Sequence, residues 1–449
     1  MTAASKLGLW SGVGIVIANM IGAGVLTTPG FMAMDLAPSH ILVAWIVGGI
    51  GALAGARAYA AVAQAIPRSG GEYRYLSTLW HPMLGYLAGF TSLFVGFSQP
   101  VALDSQLVGY YAGTLGLDLN WRVVTVGTIV VVTLLHAVSL RTSRSGQNLL
   151  VVVKVTLVVG FVLVGLIAGH NAWPTWSPDA AKDGIPLAAF FQSLVFIAFC
   201  YSGWNAAIYA SEEFGNPRRD VPRAMLIGCA VVIVLYLLVN WVFVANLTPA
   251  HYGEWISGDN QRVTLGHVLM NDLIGGVGAK IMSMFMIVAL LSAASAMTMI
   301  GPRVYAAMAR DGYLPKVFAG VEGRPPLGSV LLQGGIAVSV AMTTSFIKAI
   351  ATVGTVLTVM AALTVLGVFK LQLDPRQHDK PGVAALICAT IFVGLSGWML
   401  YFAFTSPLLN TIELPGGGTI AAPLVWLGFI ALISVIYAVW VAARGRSRG

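Results

Sequence analysis

The sequence predicts an all-α, polytopic membrane protein of twelve transmembrane helices, on three observations. Of 449 residues, 57% are hydrophobic and only 9% charged, where a soluble protein is about a quarter charged. The apolar residues gather into stretches of about 20, the length that crosses a bilayer as a helix. Two of these stretches are interrupted by glycine and polar residues, which an ordinary membrane anchor lacks. A β-barrel is excluded, because the apolar runs far exceed the ~10-residue alternating segments of barrel strands.

The spans expected in order are 9–36, 39–65, 84–113, 120–139, 148–169, 185–211, 223–247, 276–309, 327–346, 348–371, 382–405 and 420–442. The first and sixth are the interrupted ones. Met1 to Lys6 lacks a signal-peptide cleavage pattern, so the first span is read as a retained helix. With the N-terminus placed inside, 19 Lys and Arg fall on the cytoplasmic side and 5 outside, with Lys154 inside a span. The positive-inside rule then puts both termini in the cytoplasm of a cell inner membrane or plasma membrane. The net charge of +8 is therefore an orientation signal, not a mark of nucleic-acid binding. Cys200, Cys229 and Cys388 all lie in apolar spans, so neither a disulfide framework nor a metal motif is expected, and no cofactor is implied.

The first span carries Asn19-Met-Ile-Gly22-Ala-Gly24-Val-Leu-Thr-Thr28-Pro29-Gly30-Phe31. Thr28 and Pro29 read as an N-cap followed by proline at the first helical position, so two half-helices flank an extended break. The sixth span contains Phe199-Cys200-Tyr201-Ser202-Gly203-Trp204-Asn205, where Ser202 is suited to cap a second half-helix. The breaks lie five spans apart, so the second half enters the membrane with inverted topology. Unwound backbone at membrane depth is tolerated only where it lines a cavity or is buried in protein, and matching breaks in two halves point to a transporter site. The competing reading is that each glycine cluster serves close helix packing.

Four local signatures extend this. They are Gly22-Ala-Gly24-Val; Ile66-Pro67-Arg-Ser-Gly70-Gly71-Glu72-Tyr73; Tyr201-Ser-Gly203-Trp204 continuing to Glu213-Phe-Gly-Asn216-Pro217-Arg-Arg-Asp-Val-Pro222-Arg223-Ala224; and Gly301-Pro302-Arg303 with Ala309-Arg310-Asp311-Gly312-Tyr-Leu-Pro315. In this order the chain resembles the amino acid–polyamine–organocation superfamily, and within it the bacterial and L-type amino acid permeases. The resemblance implies a LeuT-like, five-plus-five inverted-repeat core. Residues 1–170 form the first repeat, 171–372 the second, and 373–449 two peripheral helices and the tail. A partner glycoprotein, known for some eukaryotic relatives, is implied by nothing in the sequence.

An α-amino acid is a zwitterion, needing donors for its carboxylate and acceptors for its ammonium. The N–H groups of Ala23 and Gly24 are expected to face the carboxylate, helped by the dipole of the half-helix starting near Thr28. By resemblance, the carbonyls of Met20, Phe199 and Ser202 accept from the ammonium, and Phe199 holds the position of an aromatic gate; its plainer reading is packing. Relatives often carry serine where this chain has Ala23. The expected binding set is Met20, Ile21, Gly22, Ala23 and Gly24 from the first break, Phe199, Cys200, Ser202 and Gly203 from the second, and Met297 from span eight, beside Ser292 and Ser295 facing the break.

Two charges stand out. Lys154 lies mid-span, where an ammonium costs about 2.5–3.5 kcal/mol, so a functional role is the default. In relatives a lysine here reaches toward spans one and eight and stands in for sodium, which implies sodium-independent transport by exchange or proton symport; the alternative is a structural lysine on carbonyls at the break. Asp104 lines an external vestibule, contacts a cationic substrate, or sits at a solvated helix end; the second option keeps an amine, polyamine or cationic amino acid as the alternative substrate. His136 reads as structural. Arg57 departs from the family pattern, in which a carboxylate often stands where this chain has Ala61. Glu212, Glu213, Arg218, Arg219, Asp220, Arg223, Arg303 and Arg310 are candidates for inner-gate ion pairs. The spans hold no paired carboxylates, His-rich motif or Ser/His pair, which argues against an intramembrane enzyme, and no repeated filter motif, which argues against a channel.

Overall fold

A computed structural model of the chain describes residues 6–22, 24–117, 119–138, 140–182, 184–247, 265–321, 324–344, 346–376, 380–405, 411–413 and 419–446. The helices run α1 (Leu9–Met20), α2 (Gly24–Met32), α3 (Pro38–Ala65), α4 (Gly71–Leu79), α5 (Pro82–Thr114), α6 (Trp121–Val138), α7 (Leu140–Ala168), α8 (Leu187–Tyr201), α9 (Pro217–Asn246), α10 (Leu265–Arg310), α11 (Leu327–Thr343), α12 (Phe346–Leu373), α13 (Val383–Thr405) and α14 (Ala422–Arg446). A short antiparallel ribbon, Thr411–Glu413 with Thr419–Ala421, precedes α14.

Among the described residues nine helices are long and apolar enough to span a membrane, and ten if α1 and α2, bent by 40°, count as one broken span. The other two of the twelve expected stretches are α11 and α14. The 17 residues of α11 reach only about 26 Å at 1.5 Å per residue, short of a bilayer core of about 30 Å. Proline sets several starts: Pro38, Pro82 and Pro217 each occupy the first turn, where a missing N–H costs nothing. Span eight is the C-terminal part of α10, separated from a shorter leading helix by a kink at Ile274 and Gly275, the latter at φ 75°.

The helices pack in two groups. The broken pair α1/α2 packs on α8 and α9, which in turn pack with α3, while α5, α6, α7, α10 and α11 pack with one another. α12 and α13 flank the first group, and α13 lies against α3 and α8. The ends of the two broken spans are stitched together: the Leu7 N–H donates to the Glu213 carbonyl at 2.8 Å, and the Gly215 N–H to the Leu7 carbonyl at 3.0 Å.

Candidate functional site between the two broken helices

The first break covers Ile21 to Ala23, of which Ala23 lies outside the described residues. The second half-helix starts at Gly24, four positions before the expected cap, so Pro29 lies inside α2. The reason is contact. A β-carbon on Gly24 would lie 2.6 Å from Cys200 Sγ and 3.1 Å from the Phe199 ring, so only glycine lets α2 begin against span six. Thr28 does not cap; its hydroxyl pairs with Cys200 Sγ at 3.2 Å.

In span six, α8 ends at Tyr201 and the chain turns through Ser202 to Asn205. Ser202 is extended (φ −57°, ψ 147°) and Gly203 has φ +100°. Beyond them runs a 3-10 helix, Ala206–Glu213, with Asn205 at its N-cap position and no side-chain cap bond. Ser202 therefore closes the first half, its N–H donating to the Phe199 carbonyl at 3.0 Å, and does not cap the second. A β-carbon on Gly203 would meet the Asn19 backbone at 2.8 Å; this glycine is where the two breaks touch.

One side chain joins the breaks that sequence reasoning did not single out. The Tyr236 hydroxyl on α9 donates to the Met20 carbonyl at 2.6 Å and the Cys200 carbonyl at 3.1 Å, a three-centre bond onto the helix ends from which both breaks start. The signal was a phenol inside an apolar span, since a buried tyrosine hydroxyl needs a partner. Lys154, fully buried on α7, donates from Nζ to the carbonyls of Ala18 at 2.9 Å and Ile21 at 2.6 Å. Among the described residues both of its hydrogen bonds go to span one and none to span eight. Carbonyls that α1 cannot use within itself are thus held by an ammonium and a phenol.

A small cavity of ≈ 20 Å³ lies between the breaks, lined by Met20, Gly22, Gly24, Phe199, Cys200, Ser202 and Met297 of the expected set, with Asn19, Pro100, Asp104 and Ala293. That volume admits about one water. An amino acid therefore enters only when the surrounding helices move. Asp104 is 4% exposed, which overturns the solvated helix end, and its Oδ1 lies 3.7 Å from where a Gly22 β-carbon would stand. Gly203 lines a larger neighbouring cavity of ≈ 100 Å³, which shares Asn19, Ser202 and Met297 with the small one. Seven residues of π-helix, Ser92–Ser98 in α5, face that larger cavity through Ser92, Gly96 and Phe97; such turns gather at functional sites.

Ser295 turns to the helix behind span eight, its Oγ pairing with His136 Nε2 at 2.7 Å. The Ser292 backbone carbonyl accepts from Gln147 at 3.4 Å, and neither serine lines the small cavity. Of the gate candidates, Arg303 and Glu213 pair at 2.5 Å, and Arg303 also bonds the Met299 carbonyl. Arg219 pairs with its neighbour Asp220 at 3.0 Å. Arg74 meets Asp311 at 2.9 Å. The Tyr73 hydroxyl donates to the same carboxylate at 2.5 Å; burial first, and that bond second, push the Tyr73 phenol well above its usual range. Arg57 is half-buried. Among the described residues no three His, Cys, Asp or Glu side chains converge as a metal site.

The family model for amino acid permeases matches residues 7–448. The chain belongs to the amino acid permease family. The permease is also similar along most of its length to curated mouse transporters. It is 24% identical over 419 residues to the b(0,+)-type amino acid transporter 1, covering 90% of this chain and 83% of that one. Identity is likewise 24% over 418 residues to the large neutral amino acids transporter small subunit 2 (89% and 76%), and 24% over 422 residues to the Asc-type amino acid transporter 1 (89% and 77%). The permease is thus a multi-pass membrane transporter and not an enzyme. Its two broken spans are the first and sixth, and their unwound residues enclose the small cavity.

Proposed function

We propose that this permease is a sodium-independent secondary transporter of neutral amino acids, working by alternating access. One observation carries the proposal: two unwound segments face one cavity, with their carbonyls tied by Tyr236 and by the Lys154 ammonium. The freed amides at the start of α2 are donors for a carboxylate, and the dipole of that half-helix favours the negative charge. The remaining acceptor capacity of the carbonyls at the breaks, each with two lone pairs, receives the ammonium. Lys154 occupies the carbonyls that a monovalent cation would otherwise need, which supports independence from sodium.

Charge at the site supports a neutral substrate. Lys154 and Asp104 offset each other, so a zwitterion enters without adding net charge; a polyamine or cationic amino acid would compete with Lys154 for Asp104. Phe199 beside Gly24 acts as the gate, swinging to admit substrate to a cavity otherwise too small. Residues 1–170 and 171–372 act as the two inverted halves, with both termini cytoplasmic in the inner or plasma membrane. Coupling is by exchange or by proton symport. Uptake of a labelled amino acid panel into proteoliposomes tests all of this. The expected result is uptake of neutral amino acids, unchanged when sodium is replaced. Acceleration by internal substrate identifies exchange; acceleration by a proton gradient identifies symport. Uptake confined to amines or strictly requiring sodium would overturn the proposal.

A further inference from the structure

The larger cavity contains a carboxylate that the preceding site does not use. Glu72, on the first turn of α4, is 6% exposed and lines that cavity. Its hydrogen bonds come from three neutral donors: Tyr59 at 3.0 Å and Asn205 Nδ2 at 2.6 Å on Oε1, and Tyr209 at 2.5 Å on Oε2. A carboxylate offers about four acceptor positions, so one is left for a further donor. A buried carboxylate met only by neutral side-chain donors has room for one more partner, and the donor best suited to join it is a cation.

The two cavities adjoin. Asn19, Ser202 and Met297 line both cavities. Asn19 is 3% exposed; its amide nitrogen is spent on the Ile15 carbonyl, and its Oδ1 has no hydrogen-bond partner among the described residues. An unpartnered buried acceptor at the junction of two cavities is costly unless a donor passes or rests there. The chain thus presents a series of acceptors: break carbonyls, Asn19 Oδ1, then Glu72. The last lies on the side that carries Arg68 and Arg74, the proposed cytoplasmic side.

We propose that Glu72 is a second docking station, binding the ammonium of an amino acid as it leaves for, or arrives from, the cytoplasm. This rests on the transport reading above. The substrate class follows from the chemistry: a primary ammonium, small enough to pass Met297 and carried by a neutral body, since the rest of the cavity wall is largely apolar. The charge-assisted bond forms as the ammonium leaves neutral carbonyls, so the station lowers the barrier to inward release and sets apparent affinity on one face of the membrane alone.

The test uses the full chain in oriented proteoliposomes, measuring half-saturation for a transported neutral amino acid separately from each face. Glu72→Gln keeps the size and removes the charge; Glu72→Asp keeps the charge. In Glu72→Gln the cytoplasmic-face half-saturation should rise about tenfold, the worth of one charge-assisted hydrogen bond, with the opposite face changed less than about twofold. Glu72→Asp should lie between wild type and Glu72→Gln. A carboxylic acid lacking the amino group, used as a cytoplasmic-side inhibitor, should bind both variants as it binds wild type. Equal shifts on both faces would make Glu72 a strut, and no shift would leave it without a role; either overturns the station. Failure of the wild type to move any amino acid would instead overturn the transport reading.

Discussion

Lys154 and Tyr236 do the same job with different chemistry: each supplies protons to carbonyls that the broken first span has released. Removing the lysine leaves the Ala18 and Ile21 carbonyls without that donor, and an unmet buried acceptor costs about 1–3 kcal/mol. Lys154→Ala is therefore expected to lower uptake by more than about tenfold while the protein still elutes as a monodisperse peak; unchanged uptake and unchanged pH dependence would remove its coupling role. Tyr236→Phe deletes a single hydroxyl serving both breaks. A lost buried hydrogen bond costs about 1–3 kcal/mol, so half-saturation should rise about tenfold and the melting temperature should fall measurably. Lys154 was legible because a charge in Leu150-Val-Val-Val-Lys154-Val-Thr-Leu has no bland explanation. Tyr236 was not, because a phenol in an apolar span is a far weaker signal than a charge there, and the chain has 14 tyrosines. Only the fold brings its hydroxyl to Met20 and Cys200, 216 and 36 positions away.

The broken spans were readable as broken, but their internal boundaries were not. A Thr-Pro pair is a sound local start signal, yet α2 begins at Gly24, where contact with Cys200 and Phe199 decides the geometry. Likewise Ser202 has the chemistry of a cap but closes α8 instead. Packing from distant elements overrules local propensity at both breaks. Gly203 makes this testable. Its φ of +100° disfavours any side chain by about 1–2 kcal/mol, and the clash is with Asn19 backbone, which no rotamer change relieves. Gly203→Ala should abolish transport and lower the melting temperature, whereas the same change at Gly14, with open space around it, should be silent. Cys200 offers a second test. It is buried against Thr28 and Gly24, so in a background lacking Cys229 and Cys388 its maleimide labelling should occur only as the breaks open, and saturating substrate should slow it about tenfold. Rapid labelling indifferent to substrate would mean that the cavity between the breaks is not the binding site.

At the scale of the whole molecule, ten of the twelve expected spans and the position of both breaks followed from hydropathy and glycine placement, because the bilayer limits the chain to few solutions. What could not be foreseen was which helices form each group, or that α13 packs directly on α3 and α8, since lipid-facing and helix-facing surfaces are equally apolar. The ion pair between Arg303 of α10 and Glu213 crosses from one helix group to the other. Glu213→Gln should weaken closure on that face by about 1–2 kcal/mol, raising Cys200 labelling by an impermeant reagent from the cytoplasmic side several-fold; a fall would place the pair on the open state. Finally, the paired bonds of Leu7 with Glu213 and Gly215 bind the leading edge of α1 to the trailing edge of span six. Neither half-helix can tilt without dragging the other, so a spectroscopic label at Lys6 would ride with the moving parts and read out the conformational cycle of the whole carrier from a position far from its cargo.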